Sequence, residues 1–265
     1  MKRKKRIGTA AKAVGCAVLL MISLFPIYWL LAMAIRPTDE MRGHIALIPQ
    51  SLTGMHFAQL FTSENFGQAI MNSLQTTFGS LIISLLAGIC AAYVIARRRF
   101  RFGLKKPMTY WVLLVRVLPP VAFTIPLYIM FNRLGVLNTK LPVMLACVLI
   151  NVPLIIWFLI SFFQDLPEEI EESAKVDGAT EWQLFCKIVL PLVAPGIAAV
   201  SMLSFMYAWN EYTYTVIFTR IPANNTVPLA LALLNTEDNL TNFGLVAAGG
   251  VISVIPITLF VIFAQ

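Results

Sequence analysis

The sequence predicts an all-α integral membrane protein with six transmembrane helices. Two observations support this prediction, namely the composition of the chain and the length of its apolar runs. Of the 265 residues, 58% are hydrophobic and only 12% are charged, and the mean hydropathy is +0.79. A helix needs about 20 apolar residues to cross the hydrocarbon core of a bilayer, and six stretches of about that length follow one another. Too little polar sequence is left to cover six buried helices in a soluble protein, so a soluble fold is excluded.

The predicted spans divide the chain in order. They lie at residues 13–35, 71–96, 107–133, 140–163, 194–218 and 243–264. A basic N-terminus, 1–12, precedes the first span, and an extracytoplasmic loop, 36–70, follows it. A signal peptide is the alternative for the first span, but its apolar run is too long and no small-residue cleavage site follows. The third span is the least regular, because Arg116 and three prolines interrupt it.

The distribution of basic residues predicts the orientation. With the N-terminus in the cytoplasm, fourteen Lys and Arg residues lie on the cytoplasmic side and five on the other. An excess of basic residues in short loops marks the cytoplasmic side, so both chain ends are expected there. These residues are spread among the membrane borders rather than gathered on one face, which favours lipid headgroups as their partners and not nucleic acid.

Several kinds of chemistry are excluded by missing motifs. The chain has no Gly-Lys pair and therefore no P-loop. Its two histidines, His44 and His56, lie twelve residues apart in the outer loop, without metalloprotease spacing. The four cysteines have no paired spacing. We therefore expect no catalytic residue, no metal site and no cofactor on this chain, and energy for transport must come from an ion gradient or a separate ATPase.

The loop at 164–192 is the most informative segment. Seven of the thirteen acidic residues lie between Asp165 and Glu181, in a loop predicted to face the cytoplasm. Asp165 and Glu168 form a capping-box pattern that predicts the start of a helix, and Gly178 predicts its end in a left-handed turn.

A second helix is predicted directly after that glycine. Thr180 and Gln183 form another capping box, and Trp182, Phe185 and Val189 follow at helical spacing as an apolar stripe. The pattern favours a short, rigid helix–turn–helix that docks a soluble partner. The alternative is an ordinary solvated loop that covers the membrane surface.

This segment resembles the EAA loop of ABC importer permeases. The matching residues are Glu171-Glu172-Ser173-Ala174, Asp177-Gly178-Ala179-Thr180, Phe185, Ile188, Leu190-Pro191 and Pro195. Ser173 stands where alanine is commoner in the family, and it keeps the position small. The resemblance implies a coupling helix, between spans four and five, that sits in a cleft of a cytoplasmic ATPase. The residues implied in coupling are Glu169, Glu172, Ser173, Ala174, Asp177, Gly178, Ala179, Phe185 and Pro191.

Other motifs resemble the carbohydrate branch of these permeases. They are Asn72-Ser73-Leu74, Ala91-Ala92-Tyr93, Arg116 with Pro119-Pro120, and Ala208-Trp209-Asn210-Glu211-Tyr212. The chain is most similar to the smaller, six-span permease of maltose-type importers. This implies a type I ABC importer permease core over 71–265 in a bacterial inner membrane, and a sugar or oligosaccharide cargo. The implied partners are a second permease subunit in a heterodimer, two copies of an ATPase that binds the ATP and Mg, and an extracytoplasmic sugar-binding protein.

Polar residues within or between spans are candidates for the translocation pathway. These are Arg116, Asn210, Glu211 and Tyr212. A charge inside a span normally faces the bundle interior or a wet cavity, although Asn210 and Glu211 can instead hydrogen-bond neighbouring helices. The rival to the importer is a secondary transporter or channel driven by an ion gradient, with Glu211 as its cation site.

The outer loop at 219–242 is the candidate contact for the binding protein. Its candidate residues are Asn224, Asn225 and Asn235. They flank an apolar run, 227–234, that is too short to span a membrane. A short surface helix packed on the membrane is the alternative reading of that run.

Overall fold

The computed structural model describes residues 2–41, 46–97, 105–234 and 242–264. Within these ranges, the side chains of residues 2–11, 105, 106, 113 and 116 are not described. Every regular element in the described residues is a helix, which confirms the predicted all-α class.

Twelve helices are numbered here in chain order within the described residues. They are α1 (Lys2–Ala34), α2 (Met55–Thr62), α3 (Phe66–Arg97), α4 (Lys105–Val117), α5 (Thr124–Arg133), α6 (Leu141–Gln164), α7 (Glu168–Val176), α8 (Glu181–Leu192), α9 (Ala194–Trp209), α10 (Thr213–Phe218), α11 (Val227–Leu233) and α12 (Phe243–Ala264). Short 3-10 turns join some of them, at Thr38–Met41, Pro120–Phe123 and Pro222–Asn224.

Four of these helices are long and apolar enough to cross a membrane by themselves. They lie at Lys12–Ala34 within α1, and at α3, α6 and α12, and they coincide with the first, second, fourth and sixth predicted spans. The pair α8 and α9, bent by 73° at its break, counts as a fifth if it is one span.

The third and fifth predicted spans are not continuous helices. Residues 107–133 are divided into α4 and α5, because consecutive prolines at 119 and 120 cannot continue a helix. Residues 194–218 are divided into α9 and α10, with Asn210 as the C-cap of α9. Neither predicted span is therefore a single unbroken helix.

The chain forms two compact units. One comprises Met1–Gly67 with Ala230–Ile255, and the other comprises Gln68–Leu229 with Pro256–Gln265. In the second unit α6 packs against α4 and α9. Contact with α3 is close as well, since a Cβ added to Gly88 would lie 2.6 Å from Cγ2 of Ile155. Only glycine allows that approach.

The second unit has an apolar cluster that joins the long helices to the loop at 164–192. Its buried members include Ile95 of α3, Leu159 and Phe163 of α6, Leu184 of α8 and Val200 of α9. Burial of such side chains is the main favourable term in folding. The loop is therefore packed onto the helices rather than suspended from them.

The first unit ties an outer turn to the start of α12. His56 is fully buried and its Nε2 donates to the carbonyl oxygen of Arg36 at 2.9 Å. The imidazole also lies against Gly244, where any larger side chain would collide with it.

Candidate functional site

The acidic loop folds as two helices, but its first helix starts differently from the prediction. We expected Asp165 to cap α7, yet Asp165 is the C-cap of α6 and its N–H donates to the carbonyl of Ser161 at 3.0 Å. The N-cap of α7 is Pro167, which makes no side-chain cap bond. The helix begins later because α6 runs on to Gln164. Three glutamates in the first turn interact favourably with the positive end of the helix dipole.

A Schellman turn ends α7. Gly178 has φ +83°, and its N–H donates to the carbonyl of Lys175 at 3.1 Å, while the N–H of Ala179 donates to that of Ala174 at 3.0 Å. This pair of bonds defines the motif, which places glycine at the left-handed position. Ala174 and Ala179 belong to the same apolar cluster, as the motif requires of its flanking residues. The predicted stop at Gly178 is confirmed.

The predicted capping box of the second helix is also present. The N–H of Gln183 donates to Oγ1 of Thr180 at 3.2 Å, and the N–H of Thr180 donates to Oε1 of Gln183 at 3.0 Å. After this cap α8 contains a π-helical turn at Leu184–Val189. Phe185 and Val189 are buried, whereas Trp182, the third member of the predicted apolar stripe, is 71% exposed.

Two residues near the end of α3 contact the loop at 164–192 and fix its position. Nε of Arg97 lies 3.0 Å from Oε1 of Glu171, and Nη2 of Arg97 donates to the carbonyl of Leu166 at 2.7 Å. One turn earlier, the ring of Tyr93 lies 4.9 Å from that of Phe185, centroid to centroid. Neither Arg97 nor Tyr93 was predicted to anchor the loop, because these contacts are long-range and no local pattern in the sequence marks them.

The outward face of α7 is concave, acidic and partly apolar. Glu169, Glu172, Ser173, Val176 and Asp177 line a depression of about 430 Å³. Four of these five are residues predicted for coupling. Val176, which was missed, is 88% exposed.

The other predicted coupling residues lie behind or beside this face. Ala174 is buried in the cluster beneath it, and Phe185 is buried beside the ring of Tyr93. Gly178 and Ala179 form the turn, and Pro191 lies in the last turn of α8 and is exposed. They position the face rather than form it.

The polar sequence at 210–212 is a break between α9 and α10. Oε1 of Glu211 accepts the N–H of Tyr214 at 2.7 Å, and Oε2 accepts the N–H of Thr215 at 3.1 Å and its hydroxyl at 3.2 Å. The carboxylate therefore satisfies the first free donors of α10, which is the usual use of an acidic side chain at a helix start. Asn210 donates from Nδ2 to the carbonyl of Met206 at 2.8 Å.

The same break lines a cavity of about 490 Å³. Its lining residues are Pro120, Leu203, Met206, Tyr207, Asn210, Glu211, Tyr212 and Thr213. A second cavity, of about 230 Å³, shares Pro120 and Tyr207 with the first and is lined mostly by apolar residues. Three of the four predicted pathway residues thus meet at one cavity. The fourth, Arg116, lies in α4, and its side chain is outside the described ones.

The outer asparagines are parts of a folded turn. Nδ2 of Asn224 donates to the carbonyl of Asn138 at 2.5 Å. The carbonyl of Asn225 accepts Nδ2 of Asn72 at 2.9 Å, so Asn72 in α3 helps to fix the turn. The short helix expected from the apolar run is present as α11. Asn235 lies outside the described residues.

No metal-binding cluster is found among the described residues, where no group of three or more His, Cys, Asp or Glu side chains has suitable geometry. The four cysteines are free thiols.

A solved structure shares this fold. The structure of a bacterial ABC transporter involved in the import of the acidic polysaccharide alginate superposes with a TM-score of 0.78, covering 97% of this chain and 95% of that one at 21% identity. The fold is thus that of an ABC importer permease, as the sequence predicted.

Two named relatives are similar to this chain in sequence as well. The chain is 30% identical to the trehalose transport system permease protein SugB of Mycobacterium tuberculosis (strain CDC 1551 / Oshkosh), over 92% of this chain and 88% of the relative. It is 31% identical to the diacetylchitobiose uptake system permease protein DasC of Streptomyces coelicolor (strain ATCC BAA-471 / A3(2) / M145), over 94% and 90%.

Residues 84–265 match the family described as binding-protein-dependent transport system inner membrane component, and the chain belongs to that family. It is a multi-pass membrane permease subunit, as predicted, and not an enzyme.

Proposed function

We propose that this chain is a permease subunit of an ATP-driven importer for a sugar or oligosaccharide, and that α7 and α8 couple it to a separate cytoplasmic ATPase. The observation that carries the coupling role is the outward face of α7, where an 88% exposed valine is set among carboxylates on a loop anchored from behind. The ATP and Mg are assigned to the ATPase.

The composition of this face fits a protein partner. Val176 is 88% exposed and Trp182 is 71% exposed, on consecutive helices of the loop. Aromatic and apolar side chains that enter a partner's pockets supply most of the binding energy at protein interfaces. The surrounding carboxylates supply orientation and selectivity through charge. A merely solvated loop needs neither exposed side chain.

The anchoring supports a mechanical role. The Arg97–Glu171 ion pair and the Tyr93–Phe185 contact join the loop to the end of α3, while Ala174 joins it to the apolar cluster. A displacement of α7 by the ATPase is therefore passed to the long helices. Such coupling requires that the face bind differently to the open and closed ATPase, because only a difference in affinity shifts a conformational equilibrium.

A carbohydrate cargo is supported by the relatives and the cavity. The two relatives are named for trehalose and diacetylchitobiose transport. The cavity at the α9–α10 break presents Tyr207 and Tyr212 beside the polar Asn210. Aromatic faces with a few polar groups are typical of small-molecule sites and suit a sugar ring.

The same cavity argues against the gradient-driven rival. Both carboxylate oxygens of Glu211 already accept hydrogen bonds from the start of α10, so the group acts as a helix cap. Membership in a binding-protein-dependent family also favours the importer. We therefore include in the proposal a second permease subunit, two ATPase copies and an extracytoplasmic binding protein that contacts the turn at Asn224 and Asn225.

The test is ATP-dependent sugar uptake by the complete assembly, copurified from its host and reconstituted in vesicles. Val176→Asp should abolish uptake and release the ATPase during purification, because it replaces the only apolar side chain among the five described residues that line the docking face by another carboxylate. Val176→Ile is the matched control and should retain both. The side chain is largely exposed, so neither change disturbs packing.

Two results would contradict the proposal. Normal uptake by Val176→Asp would remove the docking face from the mechanism. Copurification without any P-loop subunit, with uptake driven by a proton gradient, would favour the rival function.

A further inference from the structure

After α1 ends, the chain turns back and runs beside the end of this helix. At the start of this return, Nη2 of Arg36 donates to the carbonyl of Ala46 at 2.5 Å. At its end, the N–H of Thr53 donates to the carbonyl of Ile35 at 2.7 Å. Both ends of the segment 46–53 are thus fixed to Ile35 and Arg36, the two residues directly after α1.

A third bond sets how far back the segment reaches. The hydroxyl of Tyr28 donates to the carbonyl of Leu47 at 2.7 Å. Tyr28 lies six residues before Ala34, the last residue of α1, which is about 9 Å along the axis at 1.5 Å per residue. The backbone of Leu47 therefore lies beside the body of the helix and not beyond its end.

Three apolar side chains of this segment face away from the protein. The exposed fractions are 63% for Leu47, 74% for Ile48 and 73% for Leu52. This surface adjoins the surface of α1, in which residues 12–28 are all exposed. Lipid is the expected neighbour of that helix surface.

The backbone donors of Gln50 and Ser51 are satisfied within the protein. The carboxylate of Glu40 accepts the N–H of Gln50 at 3.2 Å and that of Ser51 at 2.9 Å, and it also accepts the hydroxyl of Ser51. Backbone donors near hydrocarbon must be satisfied within the protein. The carboxylate meets this requirement for two successive amides.

We propose that residues 47–52 dip into the bilayer interface at the Ala34 end of α1, with Leu47, Ile48 and Leu52 in lipid. Interfacial segments bury their apolar side chains about 5–10 Å into the boundary between headgroups and acyl chains, which agrees with the level of Tyr28. Tyr28 and Trp29 are residues typical of this depth. Part of the loop predicted as extracytoplasmic at 36–70 is thereby a lipid anchor.

Spin labels placed one at a time at 47, 48, 50 and 52 test this in the complete importer in lipid nanodiscs. Cys16, Cys90 and Cys186 are replaced by serine, while Cys147 is buried and is retained. Accessibility is measured to oxygen, which partitions into lipid, and to a water-soluble nickel chelate. Gln50 is exposed and polar, and its label is the matched control within the same segment.

We expect a several-fold higher ratio of oxygen to nickel accessibility at 47, 48 and 52 than at 50. Equal ratios at all four positions would place the segment in water and overturn the proposal. Low accessibility to both reagents at 47, 48 and 52 would show a protein subunit covering the patch, which would overturn it as well.

Discussion

Nε of Arg97, the last residue of α3, lies 3.0 Å from Oε1 of Glu171 in α7. The two side chains are only 7% and 15% exposed. The same guanidinium donates a hydrogen bond to the carbonyl of Leu166. One arginine therefore contacts both the residues that lead into the loop and α7, the first helix of the loop. This connection joins the proposed docking face to α3, in addition to the covalent link between α7 and α6.

Breaking this pair should uncouple the importer. Arg97→Gln leaves the Glu171 carboxylate without its counter-charge, and removing one partner of a buried ion pair costs about 3–5 kcal/mol. We expect sugar uptake to fall at least about tenfold, since 1.4 kcal/mol is already a factor of ten. Uptake and ATP hydrolysis by reconstituted assemblies measure the effect, and their ratio should fall.

The Lys175–Glu181 pair supplies a control on the same loop. Its atoms are also 3.0 Å apart, but its side chains are 49% and 64% exposed. Exposed pairs contribute little, about 0–1 kcal/mol, so Glu181→Gln should leave uptake close to that of the unmodified protein. Equal losses in Glu181→Gln and Arg97→Gln would show that the loss reflects loop charge in general.

The turn at Gly178 should tolerate asparagine better than aspartate. The residue has φ +83°, a conformation that costs other L-residues roughly 1–2 kcal/mol and that asparagine adopts more readily than most. Gly178→Asp also adds a negative charge beside Asp177. We expect Gly178→Asp to insert normally and lose ATP-dependent uptake, while Gly178→Asn keeps a substantial part. Unimpaired uptake by Gly178→Asp in vesicles would refute a coupling role for this turn.

The negative charge of Glu211 should not be required for sugar uptake. Its oxygens accept two N–H groups and a hydroxyl, and glutamine retains one acceptor oxygen. Leaving one buried donor unsatisfied costs about 1–3 kcal/mol, so Glu211→Gln should reduce protein stability measurably, with uptake preserved and insensitive to a proton ionophore. Complete loss of uptake in a normally folded Glu211→Gln protein would instead support a cation-coupling carboxylate.

The loop beside α1 should loosen in acid. The Ser51 hydroxyl, followed by the backbone N–H groups of Gln50 and Ser51 and the charge of Arg36, holds the pKa of Glu40 below its usual value. A depressed folded-state pKa means that the stabilisation is present above the unfolded value, about 4.3, and is lost as pH falls through the folded value. A label at Ile48 should become more mobile over that range. In Glu40→Gln its mobility should not change with pH, and an unchanged acid response there would exclude Glu40 as its source.

The helical loop was predictable from sequence to the extent that its signals are local. Gly178, Thr180 and Gln183 act through neighbours within a few residues, so their spacing sufficed. The start of α7 was placed wrongly, because nothing local showed that Asp165 would be the C-cap of α6. Arg97 and Tyr93 were missed because their partners lie far along the chain, and Val176 was missed because exposure is settled by tertiary packing.

Prediction of the transmembrane region was limited in the same way, to features that have a local signal in the sequence. Hydropathy located the apolar segments. It is averaged over many residues, however, so it did not reveal the helix breaks inside two of the predicted spans. Prolines at 119 and 120 marked the first break. At the second, Glu211 looked like a buried charge in need of a pathway, whereas it caps a helix that only the structure reveals.

The central claim, that the outward face of α7 contacts the ATPase, is tested most directly by a photo-reactive amino acid at Val176 in the complete importer. We expect cross-links to the ATPase whose yield changes between the nucleotide-free and ATP-trapped states, and none from the same group at Gln50 in the predicted extracytoplasmic loop. Cross-links at Val176 to lipid alone, in both states, would contradict the account.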